Sequence, residues 1–189
     1  GFDAFAHSMT TISTGGYSTY NNSMAHFDSA LIDYICIAFM CIGSLPFIMY
    51  LHLIRRNYSN FFTDKQIAGF FSAVGFFTLA TMMYLIVYDG WEFFDALRYS
   101  LFNITSVITT TGFATTDYTL WGSFIVSLIF FATCIGGCAG STAGGIKIFR
   151  FQVLYAVSKA QTLKMIHPHG IFPSYYNNRQ IPRDVPIAV

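Results

Sequence analysis

Two apolar runs, residues 93–108 and 120–135, are separated by a stretch that no buried helix favours: Thr109-Thr110-Thr111-Gly112-Phe113-Ala114-Thr115-Thr116-Asp117. It is a run of hydroxyls around one glycine, and it ends in a charge. Backbone that is neither helical nor part of a closed barrel is tolerated at membrane depth only where protein buries it or it lines a water-filled path. The stretch is therefore expected to line such a path, with its carbonyls turned toward a dehydrated cation. An ordinary polar turn between two membrane helices is the alternative, because turns use Thr and Gly freely.

A second copy upstream weighs against the ordinary turn. Residues Ile12-Ser13-Thr14-Gly15-Gly16-Tyr17-Ser18-Thr19 align with the first stretch at a shift of 96. Ile12 then meets Ile108, Thr14 meets Thr110, Gly16 meets Gly112, Tyr17 meets Phe113 and Thr19 meets Thr115. Further on, at a shift of 93, Cys41-Ile42-Gly43 meets Cys134-Ile135-Gly136. Self-similarity at a fixed period is the signature of a repeated structural unit. Each unit is expected to hold a membrane helix, a re-entrant pore helix, a polar strand and a second membrane helix.

Composition points to the same class. Of 189 residues, 54% are hydrophobic and only 10% charged, with a mean hydropathy of +0.51. Soluble domains carry about 25% charged residues, so the chain reads as an integral membrane protein. The net charge of +1 and the lack of any Lys/Arg cluster give no argument for nucleic acid. The cysteines Cys36, Cys41, Cys134 and Cys138 all fall in apolar runs without metal-ligand spacing, and read as small buried hydrophobes. With no initiator Met and an opening Gly1-Phe2-Asp3 already inside an expected pore helix, the sequence reads as part of a longer protein.

In chain order, residues 1–12 predict a helix too short to span, since a spanning helix needs about 20 apolar residues. A polar connector, Tyr20-Asn21-Asn22-Ser23, leads to an apolar run over about 30–54. Asp28 is placed to cap it, and Pro46 one turn after Gly43 predicts a kink. Asp33, inside this run, is either an interfacial cap-region group or an inward-facing polar residue. Arg55-Arg56 closes the run, and Thr63-Asp64-Lys65-Gln66 opens a crossing helix over 66–88 with capping-box spacing. Asp89-Gly90-Trp91-Glu92 ends it, with Tyr88 and Trp91 suited to an interfacial belt. Arg55, Arg56, Lys65, Lys159 and Lys164 mark one side as cytoplasmic, so both hydroxyl-and-glycine stretches enter from the outer side.

The run 120–135 gives way to Gly136-Gly137-Cys138-Ala139-Gly140-Ser141-Thr142-Ala143-Gly144-Gly145, five glycines in ten residues. Each glycine costs a helix interior about 1 kcal/mol relative to alanine, so an irregular segment is expected. Close packing of small residues against another helix and a flexible intramembrane segment beneath a pore both remain open. A phosphate-cradling loop fits poorly, because no strand precedes it and the Walker spacing is absent. An amphipathic run follows to about residue 166. His167-Pro168-His169 offers only two metal ligands and reads as a solvated linker, and His7 reads as a packing or locally bonded residue.

Three segments together carry a family resemblance: Ser13-Thr14-Gly15-Gly16-Tyr17-Ser18, Thr109-Thr110-Thr111-Gly112-Phe113-Ala114, and Gly136 through Gly145 followed by Ile146-Lys147. The chain resembles the membrane subunit of the Trk/Ktr/HKT potassium-transport superfamily, of the bacterial TrkH/TrkG type. The resemblance implies an all-α integral membrane fold, with tandem helix–pore helix–filter–helix repeats of potassium-channel type around a pseudo-fourfold pore. It implies a partial repeat over 1–62, a full repeat over 63–165 and a cytoplasmic linker over 166–189 leading toward a further repeat. Two of four walls could not seal a pore, so these residues alone are not expected to conduct.

The resemblance also assigns residues. Thr14, Gly15, Gly16, Thr110, Thr111 and Gly112 would form the filter, with potassium at the carbonyls of Thr14, Gly15, Thr110 and Thr111 and the rings of Tyr17 and Phe113 packed behind. Carbonyl oxygens replacing the ion's hydration shell are the borrowed mechanism. Gly136, Gly137, Gly140, Ser141, Thr142, Gly144 and Gly145 would form a gate. Lys147 would be a positive charge at its inner mouth, with snorkelling to the cytoplasmic interface as the alternative. No catalytic residue and no cofactor is implied, potassium being the transported ligand. The implied partners are a TrkA-like cytosolic nucleotide-binding regulatory subunit, a second copy in a homodimer, and the lipid of the bacterial inner membrane. A non-conducting scaffold or half-subunit, and a symporter coupled to protons or sodium, remain alternatives.

Overall fold

Helix formation follows hydropathy most plainly between Lys65 and Tyr88, 24 residues whose most apolar window has a mean hydropathy of 2.0. At about 1.5 Å per residue this helix reaches ~36 Å, against a hydrocarbon core of about 30 Å. Asp64 starts it, its carboxylate accepting the backbone N–H of Gln66 at 2.8 Å. The computed structural model describes residues 1–56, 64–167, 175–176 and 179–180. Thr63 of the expected capping box, His169, and most of the linker expected over 166–189 lie outside these residues.

The helices in chain order are α1 (Phe2–Ile12), α2 (Ala30–Gly43), α3 (Phe47–Ile54), α4 (Lys65–Tyr88), α5 (Phe93–Ile108), α6 (Ser123–Cys134) and α7 (Ile148–Ile166). Short 3-10 turns at Ser23–His26 and Tyr118–Trp121 precede α2 and α6. Besides a single parallel bridge between Ile135 and Ile146, the strand pairing among the described residues is a two-residue one, Tyr175–Tyr176 with Arg179–Gln180, which sits on α7 through an edge contact of Tyr176 with Phe149. The fold is otherwise all-α. Helices α1 and α5, at 11 and 16 residues, fall short of a span.

Helix α4 packs on α5, α6 and α7. Phe70, Val74, Met82 and Leu85 meet Ala96, Ile104, Ile108, Ile125, Ile129 and Ala132 in one core. A second core joins the two halves of the chain, with Met24, Cys36, Ile37 and Met40 against Phe102 and Phe113. Lipid tails are as apolar as these side chains, so close packing and hydrogen bonds hold the helices together more than transfer from water does. Cys36 and Cys138 are buried, whereas Cys134 is exposed on α6, unlike the buried role its apolar run predicts.

Three expectations are corrected. The run over 30–54 is two helices and not one kinked helix: α2 ends at Gly43, α3 restarts at Phe47, and their axes differ by 93°. Pro46 supplies no N–H and disfavours helical geometry at Leu45, and the backbone groups so freed find partners across the fold. Asp28 does not cap α2; Ser29 is the N-cap residue, without a side-chain cap bond. The Asp28 carboxylate turns instead toward Arg98, 3.5 Å away. Finally, α6 begins at Ser123, because Leu120 and Trp121 belong to the 3-10 turn and Gly122, at φ +93°, separates the two.

Asp33 faces inward. It is 1% exposed, and its carboxylate accepts Arg98 Nε at 2.7 Å, tying α2 to α5. Removing one partner of a buried pair leaves an unpaired charge, at a cost of about 3–5 kcal/mol. Arg98→Met is therefore expected to lower thermal stability in detergent sharply, and the double variant Arg98→Met with Asp33→Leu to recover most of the loss. Melting curves of both check this, and equal losses would refute the pairing.

Candidate ion-pathway site

Helix α1 and helix α5 end in the same way. The N–H groups of Ser13, Thr14 and Gly15 donate to the carbonyls of Met9, Thr11 and Thr10 at 3.1, 3.2 and 2.8 Å. Those of Thr109, Thr110 and Thr111 donate to Thr105, Val107 and Ser106 at 2.9, 3.0 and 2.9 Å. Every donor and acceptor is displaced by 96 positions. The correspondence extends to side chains: Thr10 Oγ1 donates to the Tyr17 carbonyl at 2.9 Å, and Ser106 Oγ to the Phe113 carbonyl at 2.6 Å. It also extends to His7 and Asn103, which donate to the carbonyls of Asp3 and Tyr99 at 2.7 and 2.8 Å.

The handedness of the two turns matches as well. Thr14 and Thr110 have φ of +51° and +57°, while Gly16 and Gly112 have +66° and +86°. A β-branched residue in the left-handed region is a genuine outlier, and strain of this kind persists only where the surroundings over-determine it. Here the over-determination is visible, since each turn is held at both limbs by its own short helix. The intervening Gly15 and Thr111 are not left-handed.

The two turns lie against each other. A Cβ on Gly16 would stand 1.8 Å from the carbonyl oxygen of Thr111 and 3.2 Å from the carbonyl carbon of Gly112. Only glycine permits that approach. The outer limbs are joined by Ala25 N–H to the Ala114 carbonyl and by Ala114 N–H to Ser23 Oγ, both at 3.2 Å. Among the described residues, the carbonyls of Thr14, Gly15, Gly16, Thr110, Thr111 and Gly112 accept no hydrogen bond.

Phe113 is 2% exposed and packs in the second core, but Tyr17 is 78% exposed. The two rings, expected to pack alike behind the turns, differ: Phe113 is enclosed by the second core, whereas the described residues leave Tyr17 largely uncovered. His7 is buried beside Phe27 and Phe113. Donation from Nδ1 to the Asp3 carbonyl leaves Nε2 to accept the Ser18 hydroxyl at 2.9 Å. Beyond the second turn, Asp117 accepts the hydroxyl and the N–H of Thr119, which hold its carboxyl below the usual carboxylate range.

The glycine-rich segment is irregular, as its composition predicts. Gly136 N–H donates to the Ile146 carbonyl and Ile146 N–H to the Cys134 carbonyl, at 2.9 and 3.2 Å, closing its two ends. Gly136 is required there, since a Cβ would stand 2.0 Å from the Gly144 carbonyl oxygen. Between the ends, Cys138 N–H donates to Ser44 at 3.0 Å, Thr142 N–H to Gly43 at 3.2 Å, and Phe47 N–H to Gly140 at 2.9 Å. The broken backbone after α2 and the broken backbone after α6 satisfy each other. Ser141 Oγ donates to the Cys138 carbonyl at 2.7 Å, and Gln66 Oε1 accepts Ala139 N–H at 2.9 Å.

This segment also touches both turns. Thr142 Oγ1 reaches the carbonyls of Ile12 and Gly43 at 3.2 and 2.9 Å, and Gly144 N–H donates to Thr110 Oγ1 at 2.6 Å. Gly145 completes it at φ +68°. Lys147 folds back, its Nζ donating to the Ala143 carbonyl of its own segment. Arg98 and Asn103 were not singled out by sequence reading, and Gln66 was read only as part of the capping box. A lone arginine in one apolar run and a lone aspartate in another were the available signal for the ion pair.

Short helices closing into hydroxyl-and-glycine turns, set among a membrane-length helix and broken apolar helices, define an all-α membrane protein built on re-entrant short helices. The chain belongs to the TrkH family, described as cation transport protein, whose model matches residues 1–189. It is 36% identical over 184 residues to the Trk system potassium uptake protein TrkI of Halomonas elongata, covering 97% of this chain and 37% of that protein. It is 31% identical to the Trk system potassium uptake protein TrkH of Escherichia coli K12, covering 100% of this chain and 39% of the relative. The crystal structure of the potassium transporter TrkH from Vibrio parahaemolyticus superposes with a TM-score of 0.93 at 30% identity, over 99% of this chain and 41% of that one. The chain thus spans about two fifths of the length of these relatives.

The close approach at Gly16 has a measurable consequence. Gly112 shares the left-handed conformation but has open space where a Cβ would go. Gly112→Ala is expected to cost the left-handed penalty, about 1–2 kcal/mol, whereas Gly16→Ala adds a backbone clash and is expected to cost clearly more. Thermal unfolding of the two variants checks the order, and a reversed order would contradict the contact between the turns.

Proposed function

We propose that this chain contributes to potassium uptake, with the two turns as part of a carbonyl-lined selectivity filter. The observation that carries the reading is the set of unpaired carbonyls at Thr14, Gly15, Gly16, Thr110, Thr111 and Gly112, at matched positions of two touching turns. Unpaired backbone oxygen at membrane depth is costly, and a permeating cation is the partner that satisfies it. Alternation of residues at positive and negative φ favours successive carbonyls on one side, the arrangement by which carbonyls replace a potassium ion's hydration shell. The likeness to proteins named for potassium uptake supports the choice of ion.

On this reading residues 1–62 and 63–165 are two walls of a pseudo-fourfold pore, and residues 166–189 are a cytoplasmic linker. Gly16 lets the turns meet, Gly112 supplies the left-handed geometry of the second turn, Phe113 buttresses that turn, and Tyr17 stands ready to pack against a neighbouring wall. The segment from Gly136 through Gly137, Gly140, Ser141, Thr142, Gly144 and Gly145 is a gate beneath the filter, with Lys147 holding its far end. The setting is the bacterial inner membrane. A homodimer and a TrkA-like cytosolic nucleotide-binding subunit are the proposed partners, nucleotide being bound by that subunit.

Rubidium uptake by potassium-starved cells expressing the full-length protein tests the filter. A coordination loss of about 1.4 kcal/mol lowers affinity tenfold, and Gly112→Ser is expected to act on that scale while eroding preference over sodium. Unchanged uptake and preference would support a scaffold role and end the filter reading. Deleting residues 138–145 tests the gate, with basal flux expected to rise; unchanged flux would leave the segment as packing alone.

A further inference from the structure

Thr110 is bonded differently from its counterpart. The Thr14 hydroxyl donates to the neighbouring Ser13 carbonyl at 2.7 Å, and among the described residues it makes no hydrogen bond beyond its own turn. The Thr110 hydroxyl oxygen instead accepts Gly144 N–H at 2.6 Å, across 34 residues. The contact is direct, since even a Cβ on Gly144 would stand 3.2 Å from Thr110 Oγ1. The same segment is pinned a second time, by Thr142 Oγ1 on the carbonyl of Ile12 at the end of α1. The glycine-rich segment is therefore latched to the ends of both short helices, and one latch uses a side-chain oxygen of the turn itself.

We propose that the Thr110 hydroxyl is contested between the permeating cation and the glycine-rich segment, so that a cation at the inner end of the turns releases the segment. The inference rests on the filter reading and deepens it by naming what regulates the gate. A hydroxyl oxygen has two lone pairs and one proton. A monovalent cation drawn to the Thr110 carbonyl also draws the lone pairs of Oγ1, which lies in the same residue. The Gly144 N–H presents its positive end to that oxygen, so ion and amide repel each other while competing for one acceptor. By linkage, whatever binds the open arrangement better shifts the equilibrium toward it, and the shift is reciprocal. The transported ion is then its own activator, and a pore emptied of ions closes.

The donor is a backbone amide, so hydrogen–deuterium exchange of a peptide covering residues 138–146 reads the latch directly. The full-length protein in detergent is compared in potassium chloride and in choline chloride at equal ionic strength. One net hydrogen bond corresponds to about a two- to tenfold change in an opening equilibrium, and potassium is expected to speed exchange by that factor. Thr110→Ser keeps the oxygen and should respond as the unmodified protein does. Thr110→Val lacks it and should exchange fast in both salts. Should Thr110→Val fail to fold, Gly144→Pro removes the N–H from the other side and should abolish the response to potassium in the rest of the peptide.

The outcomes separate the latch from the filter. If potassium raises the melting temperature but leaves exchange of the segment unchanged, the ion binds and the latch is refuted. A Thr110→Val protein that still responds to potassium would refute the role of the hydroxyl. No potassium-dependent rise in melting temperature at all would remove the filter reading beneath the proposal.

Discussion

Backbone polar groups at membrane depth have no water to turn to, and this constraint orders the whole structure. A continuous helix such as α4 meets it internally. Wherever the chain departs from helix, the freed groups must find partners elsewhere. The two breaks, after Gly43 and after Cys134, do so mutually through bonds from Cys138, Thr142 and Phe47. Among the described residues the six carbonyls of the turns accept no hydrogen bond, and they lie where the two turns meet.

The strain at Thr14 and Thr110 has the same origin. Two left-handed threonines would relax if either limb of a turn were loose. Each limb is held, by the end of a short helix on one side and by the hydroxyl of Thr10 or Ser106 on the other. The pair of Asp33 with Arg98 then fixes α5 against α2, and Gly16 brings one turn onto the other. Packing, ion pair and turn geometry thus converge on the relative position of two short stretches of main chain.

Much of this was legible in the sequence. The shift of 96 that aligns Thr14 with Thr110 and Gly16 with Gly112 reappears in the main-chain bonds of Ser13 to Gly15 and of Thr109 to Thr111, because short-range turn geometry depends on local residue types. The irregular backbone after Cys134 followed from glycine content in the same way. What could not be read were features set by partners distant in the chain. Pro46 announces a disturbed helix, but whether it kinks or breaks depends on whether Cys138, Gly140 and Thr142 arrive to satisfy the opened groups. Asp28 has the chemistry of a cap, yet Arg98, 70 positions away, competes for it. Asp33 was ambiguous for the same reason. Tyr17 and Phe113 occupy equivalent positions, and only the surroundings separate an exposed ring from a buried one.

The account turns on main-chain oxygen at the two turns binding a permeant cation. Anomalous diffraction from crystals of the full-length protein grown in rubidium tests that most directly. The account predicts a rubidium peak within coordinating distance of the carbonyls of Thr14, Gly15, Thr110 and Thr111, on the line where the turns meet. Rubidium elsewhere on the protein, with those carbonyls bonded to protein or to lipid-excluded side chains, would contradict it.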